Sequence, residues 1–166
     1  MKRHILLFVL LICVSACGFH LRGSQMGELG VSSINIESHG ANRLASIVKT
    51  QLQIAGITIT NTADEAEYIL RLNNETFKRN VLSVSPSTGK VEEFELIYSA
   101  KMAVSRSDGT SVLPSDLIRV VRDFTFDEDA VLGKFTEERV LREDLTRSAA
   151  SQVLQRLQVA LKRDST

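Results

Sequence analysis

Cysteine is scarce in this 166-residue chain: there are two, Cys13 and Cys17, and none after position 17. Nothing downstream of that point can therefore form a disulfide, a zinc–thiolate centre or a cysteine nucleophile, so a fold built there must be held by packing alone. Histidine is scarce too, with three copies at positions 4, 20 and 39. None sits in an H-E-x-x-H spacing, and there is no G-x-S-x-G or P-loop motif, so no catalytic constellation is legible and an enzyme is not expected. The run Asp127-Glu128-Asp129 lacks the ligand spacing of a calcium loop and reads as a solvated approach to a helix; no metal and no cofactor is expected. A basic excess is missing as well, because 20 Lys and Arg balance 20 Asp and Glu. That excludes a sequence-independent nucleic-acid binder, whose footprint is strongly basic. Long apolar runs are also absent. The longest, residues 5–14, is about ten residues, half of the roughly twenty that a membrane-spanning helix needs.

That short run has a different meaning where it stands. Lys2, Arg3 and His4 precede it, and Val14-Ser15-Ala16-Cys17 closes it with small residues and a cysteine. Basic start, short apolar core and small-residue cleavage site are the parts of a signal peptide. The last four residues resemble a lipobox, where bacterial lipoprotein precursors are acylated and cut. Residues 1–16 are then a cleaved signal. Cys17 becomes the N-palmitoyl, S-diacylglycerol cysteine that holds the protein to the membrane, since two or more acyl chains anchor firmly where one does not. With Lys2 and Arg3 removed, 18 basic residues face 20 acidic ones, a formal charge of −2. In the Gram-negative sorting scheme aspartate after the cysteine retains a lipoprotein at the inner membrane; Gly18 stands there instead, which points to the outer membrane.

Residues 17–30, rich in glycine, read as a lipid-anchored connector, and residues 31–163 as a single domain. Strand candidates are 31–37, the short β-branched stretch 57–60, 68–84, 91–106 and 117–126. The clearest is the fourth, where Phe94, Leu96, Tyr98, Ala100, Met102 and Val104 alternate with polar or small residues. Ser85-Pro86-Ser87-Thr88-Gly89-Lys90 is a turn by its chemistry, so 68–106 should be a long antiparallel hairpin. Glu92, Glu93 and Glu95 mark a wet edge on its second strand. Two helices are expected. One starts with Asn42 as N-cap, carries Leu44, Ile47, Val48, Leu52 and Ala55 on one face, and stops at Gly56. The other runs from about Thr136 to Arg163 with Leu141, Leu145, Ala149, Val153, Leu157 and Leu161 down one side. The order implies an α+β fold: two helices packed on one face of a mainly antiparallel or mixed four-stranded sheet, an α/β sandwich.

Cys17-Gly18-Phe19-His20-Leu21-Arg22-Gly23 resembles the start of mature members of the LptE family, lipopolysaccharide-assembly lipoproteins also called rare lipoprotein B. The order of elements is similar along the chain. The resemblance implies an outer-membrane lipoprotein that plugs the LptD β-barrel, helps that barrel assemble, and takes part in inserting lipopolysaccharide into the outer leaflet, with its domain facing periplasm and barrel lumen. It also implies lipopolysaccharide contact through basic side chains at the hairpin turn and in the loop before the last helix. Lys134 matches the second position. At the turn Ser87 and Thr88 stand where some members carry arginine, which shifts the candidate to Lys90. Lysine serves phosphate as a flexible point charge, whereas most lysines are simply exposed. The competing expectation, from a different class, is a lipid-anchored adaptor of the cell envelope with no lipopolysaccharide role.

Replacing Cys17 by serine is expected to leave the chain uncut and unacylated. Intact mass of the membrane-extracted protein checks this, and a cleaved, lipid-bearing variant would overturn the anchor assignment.

Overall fold

Residues 31–60 form a strand, a helix and a second strand, as their change of period from two to 3.6 and back requires. The computed structural model describes residues 31–126 and 131–165, with side chains of the last helix described from Thr136 onward. Strand β1 is Ser33–His39, helix α1 is Asn42–Ile54 and strand β2 is Thr58–Thr60. Leu44, Val48 and Leu52 of α1 are fully buried. Ala41, not Asn42, occupies the N-cap, and no side chain caps the helix. Asn42 is the first helical residue and its Oδ1 accepts a hydrogen bond from the Ser38 hydroxyl at 2.9 Å. Gly56 adopts φ +84°, the left-handed turn that lets the chain leave the helix and enter β2 without a Cβ clash.

A 3-10 turn, Ala63–Glu65, leads to β3 (Tyr68–Val84) and β4 (Val91–Arg106), the expected long hairpin. Its turn closes with the Ser85 N–H donating to the Lys90 carbonyl at 2.7 Å and the Gly89 N–H to the Ser85 carbonyl at 2.8 Å. Strand β5, Ser111–Thr125, starts six residues before the expected 117 and contains Pro114. Proline is tolerated there because β5 is an edge strand, and the register with β4 shifts beside it, from Met102↔Asp116 to Val104↔Leu113. The sheet order is β2-β1-β3-β4-β5. The sheet thus has five strands rather than four. Three-residue β2 pairs parallel with β1, β1 lies parallel to β3, and β3, β4 and β5 are antiparallel.

The hairpin is not regular. Between Asn73 and Thr76 β3 carries one residue more than β4, and Asn74 takes φ +56° there. Asparagine tolerates that conformation better than other side-chain-bearing residues. The Glu75 N–H is turned out of the ladder to the Gly40 carbonyl, 2.9 Å away, which ties the bulge to the turn before α1. After the bulge the side-chain phase is reset, so Leu70, Leu72 and Phe77 all face the helices although their spacing changes from even to odd.

Helix α2, Val131–Asp164, has 34 residues and extends about 50 Å at 1.5 Å per residue. It begins five residues earlier than expected, so Gly133 and Lys134 lie inside it and Thr136 is not its start. Leu145, Ala149, Val153, Leu157 and Leu161 of α2 join Leu44, Val48 and Leu52 of α1 and Leu70, Leu96, Tyr98, Met102 and Ile118 of the sheet in one core. Both helices therefore cover the same face. Ion pairs pin α2 to the strands along its length: Arg79–Glu138 at 3.0 Å, Arg156–Asp116, and Arg106–Asp164 at 2.9 Å. No described helix is long and apolar enough to cross a membrane.

The far end of α2 carries a pH-dependent clasp. Asp164 accepts hydrogen bonds from Arg106 at 2.9 Å and from the Tyr68 hydroxyl at 2.9 Å. Arg106 first, then Tyr68, hold the Asp164 carboxyl below its ordinary 3.8. A depressed folded-state pKa stabilises the fold above the unfolded value, and the contribution fades as pH falls through 3.8 toward the lower folded value. Asp164→Asn is therefore expected to flatten the acid limb of the melting curve as pH falls through 3.8 and below. Superimposable acid limbs for the two proteins would sink the assignment.

Candidate functional site at the hairpin end

The fold gathers its aromatics where the hairpin meets the start of α2. Phe94 stacks on Phe124 with centroids 5.6 Å apart and meets Phe126 edge-on at 5.3 Å, while Phe77 packs edge-on against Tyr98 at 4.9 Å. Period-two alternation places Phe77, Arg79, Phe94, Tyr98 and Phe124 on the helix-covered side, so Arg79 enters an apolar layer and must find a partner. Its guanidinium lies over the Phe94 ring at 4.6 Å and donates to Glu138 Oε2 at 3.0 Å. Arg142 does the same from the helix, 5.5 Å from the Phe77 centroid and 2.7 Å from Glu138 Oε1.

Glu138 is thus shared by two arginines. Its side chain keeps only 12% of its exposure, against 42% for Arg79 and 40% for Arg142. One helical turn on, Glu143 is approached by Arg139 at 3.4 Å, Arg147 at 3.6 Å and Arg43 of α1 at 3.6 Å. Five guanidinium groups converge on two carboxylates, so this surface keeps positive charge after its internal pairing. A cleft of about 360 Å³ opens there, lined by Arg79, Glu138, Arg139 and Arg142. Exposed cations beside aromatic rings, in excess of the carboxylates they share, suit an anionic group, which arginine can hold bidentately.

The sequence-derived candidates fall around this cleft in different ways. Lys134 belongs to the first turns of α2, not to a loop before it. Its backbone lies four residues before Glu138, about 6 Å along the helix axis toward the hairpin tip; its side chain is outside the described residues. Lys90 is an exposed residue of the hairpin turn, with its N–H donated to the Thr88 hydroxyl at 3.3 Å. Both lysines are at the same end of the molecule, but Lys90 is followed by Glu92, Glu93 and Glu95, which oppose an anion. Cys17 and the run Asp127-Glu128-Asp129 lie outside the described residues. Among those described, no group of acidic, histidine or cysteine side chains is arranged to hold a metal. Arg79, Glu138 and Arg142 were not legible as a cluster. They are far apart in sequence, and the only local signal was the Glu138–Arg142 spacing of four on a helix.

Buried at the floor of the aromatic layer, Tyr98 has no exposed surface. Burial, and then the charge of Glu75, push its hydroxyl above the ordinary phenol range.

A family model described as LptE, lipopolysaccharide-assembly, matches residues 29–157. The LPS-assembly lipoprotein LptE of Photorhabdus laumondii is 28% identical over 160 residues, covering 93% of this chain and 86% of that protein. The protein of the same name from Pectobacterium atrosepticum is 24% identical over 148 residues, covering 88% and 79%. Among solved structures, rare lipoprotein B from Shewanella oneidensis superposes with a TM-score of 0.72 at 26% identity, covering 81% of this chain and all of that one. Lipoprotein B from Nitrosomonas europaea gives 0.73 at 26% identity, covering 85% and 90%.

Arg79→Ala removes the sheet's hold on Glu138. It is expected to speed amide exchange in residues 136–142 and to lower stability by about 1 kcal/mol, the scale of a partly exposed ion pair with a cation–π contact. Unchanged exchange in that segment would show that α2 is held there by packing alone.

Proposed function

The chain belongs to the LptE family, and from that premise we propose that it is an outer-membrane lipoprotein, anchored through Cys17, that plugs and helps assemble the LptD β-barrel and takes part in inserting lipopolysaccharide into the outer leaflet. Its work in this reading is binding and positioning; it catalyses no reaction and needs no cofactor beyond the lipid on Cys17. Residues 1–16 are its signal, 17–30 its tether, and the domain from residue 31 faces the periplasm and the barrel lumen.

One observation supports the lipopolysaccharide contact: five arginines meet two carboxylates at the hairpin end, and three of them, Arg79, Arg139 and Arg142, line a cleft there. Lipid A and core sugars carry phosphates, and a cleft with surplus guanidinium charge is what such groups require. Lys134, on the helical turn before Glu138, is the first lysine candidate for that contact. Lys90 is placed second, because three glutamates follow it on β4.

A tagged full-length protein drawn from detergent-solubilised outer membranes tests this reading. A large β-barrel, identified by mass in roughly stoichiometric amount, is the expected companion. Recovery of the lipoprotein alone with its anchor intact would overturn the plug and favour an envelope adaptor. Within the complex, Lys134→Glu is expected to weaken lipopolysaccharide binding about tenfold, near the 1.4 kcal/mol of one charge-assisted contact.

A further inference from the structure

The helices cover one face of the sheet; on the other, Asn35, Ile69 and Ser105 are buried, and from Asn73 toward the hairpin tip the described residues leave the face open. Side chains on the bare face follow from the register. Crossing from β3 to β5, the rows are Asn73, Lys101 and Leu117, then Thr76, Ser99 and Arg119, then Lys78, Ile97 and Val121. Next toward the hairpin tip come Asn80, Glu95 and Asp123, then Ser83, Glu93 and Thr125. Lys78, Lys101 and Arg119 are exposed and have no hydrogen-bond or ion-pair partner among the described residues. Leu117 is 50% exposed, with Ile97 and Val121 half-buried beside it. This face therefore has a basic band with aliphatic fill, and an acidic end made by Glu93, Glu95 and Asp123.

We propose that this bare face is the docking surface for the wall of the barrel partner. The wall, in consequence, carries acidic groups opposite Lys78, Lys101 and Arg119 and basic groups opposite Glu93, Glu95 and Asp123. The inference rests on the barrel reading above and adds which surface meets the barrel and with what chemistry. The order of charges selects a protein. A polyanionic lipid attracted to the band would be repelled by carboxylates one or two rows away, about 7 Å along the strands for each pair of residues. A folded wall with the opposite two-sign pattern gains at both ends and is fixed in register and direction. The wall of a water-filled lumen supplies such polar groups. The chain's own segment 17–30 is a poor cover, since Arg22, Glu28 and His20 are its only titratable side chains besides Cys17 and offer no acidic surplus.

The test uses the tagged full-length lipoprotein and measures the barrel retained through washes of rising salt. Lys101→Glu with Arg119→Glu is expected to lower retention about tenfold at moderate salt. Lys49→Glu, on the exposed side of α1, is expected to match wild type. Melting temperature checks folding of each variant, and should the double glutamate variant fail to fold, Lys101→Gln with Arg119→Gln decides by an intermediate loss. Wild-type retention in a folded double variant overturns the docking face and leaves the plug standing. A wild-type chain that recovers no barrel overturns both. A salt-sensitive dimer of the chain alone, lost in the double variant, would assign the face to a second copy and also overturns the proposal.

Discussion

The apolar side of β3, β4 and β5 runs the length of strands of 17, 16 and 15 residues, and only an element of matching length can keep it from water. Helix α2 meets that requirement with 34 residues. Its buried positions Leu145, Ala149, Val153, Leu157 and Leu161 are each four apart, and Ala150 and Ala160 are buried beside them. Truncating a leucine in such a stripe costs about 2–5 kcal/mol, a large share of a domain's stability. The arginine pairs spaced along α2 are individually weak at these exposures. Their value is in phase: each fixes which helical residue stands over which strand row.

That constraint explains why some of the fold was readable and some was not. The alternation from Phe94 to Val104 and the leucine stripe of α2 both report a single buried face, and a buried face is what periodicity detects. Ile57-Thr58-Ile59-Thr60 could be read as a strand but not as a fifth member of the sheet, because three residues pairing with β1 leave no pattern of their own. The bulge at Asn74 was hidden for the opposite reason. It changes the phase of a pattern without breaking it, so 68–84 still reads as one strand although its two halves show opposite parity to the helices. The extension of β5 back to Ser111 passes through Pro114, which signals a stop in any strand except an edge.

The candidate site sits where these irregularities act together. The phase reset after Asn74 puts Phe77 and Arg79 on the covered side, where Glu138 of α2 meets Arg79. Were the extra residue taken into a regular strand rather than a bulge, Lys78 instead of Arg79 would face the helix, and Arg79 would join the open face. The basic cleft and the basic band are therefore divided by one bulge.

A sheet with one committed face and one bare face separates stability from recognition. Most large apolar groups that hold the fold are on the helix side, Ile69 being buried on the other, and Arg106, Arg156 and Arg79 close the far end, middle and near end of α2. The open side keeps its backbone rigid through the strand ladder, while Lys78, Lys101 and Arg119 have no partner among the described residues. A partner can therefore dock there without remodelling the core, and the entropy lost is mainly that of a few side chains rather than of a segment. Charges on such a rigid plane keep a constant order along the strands, so they specify direction as well as contact.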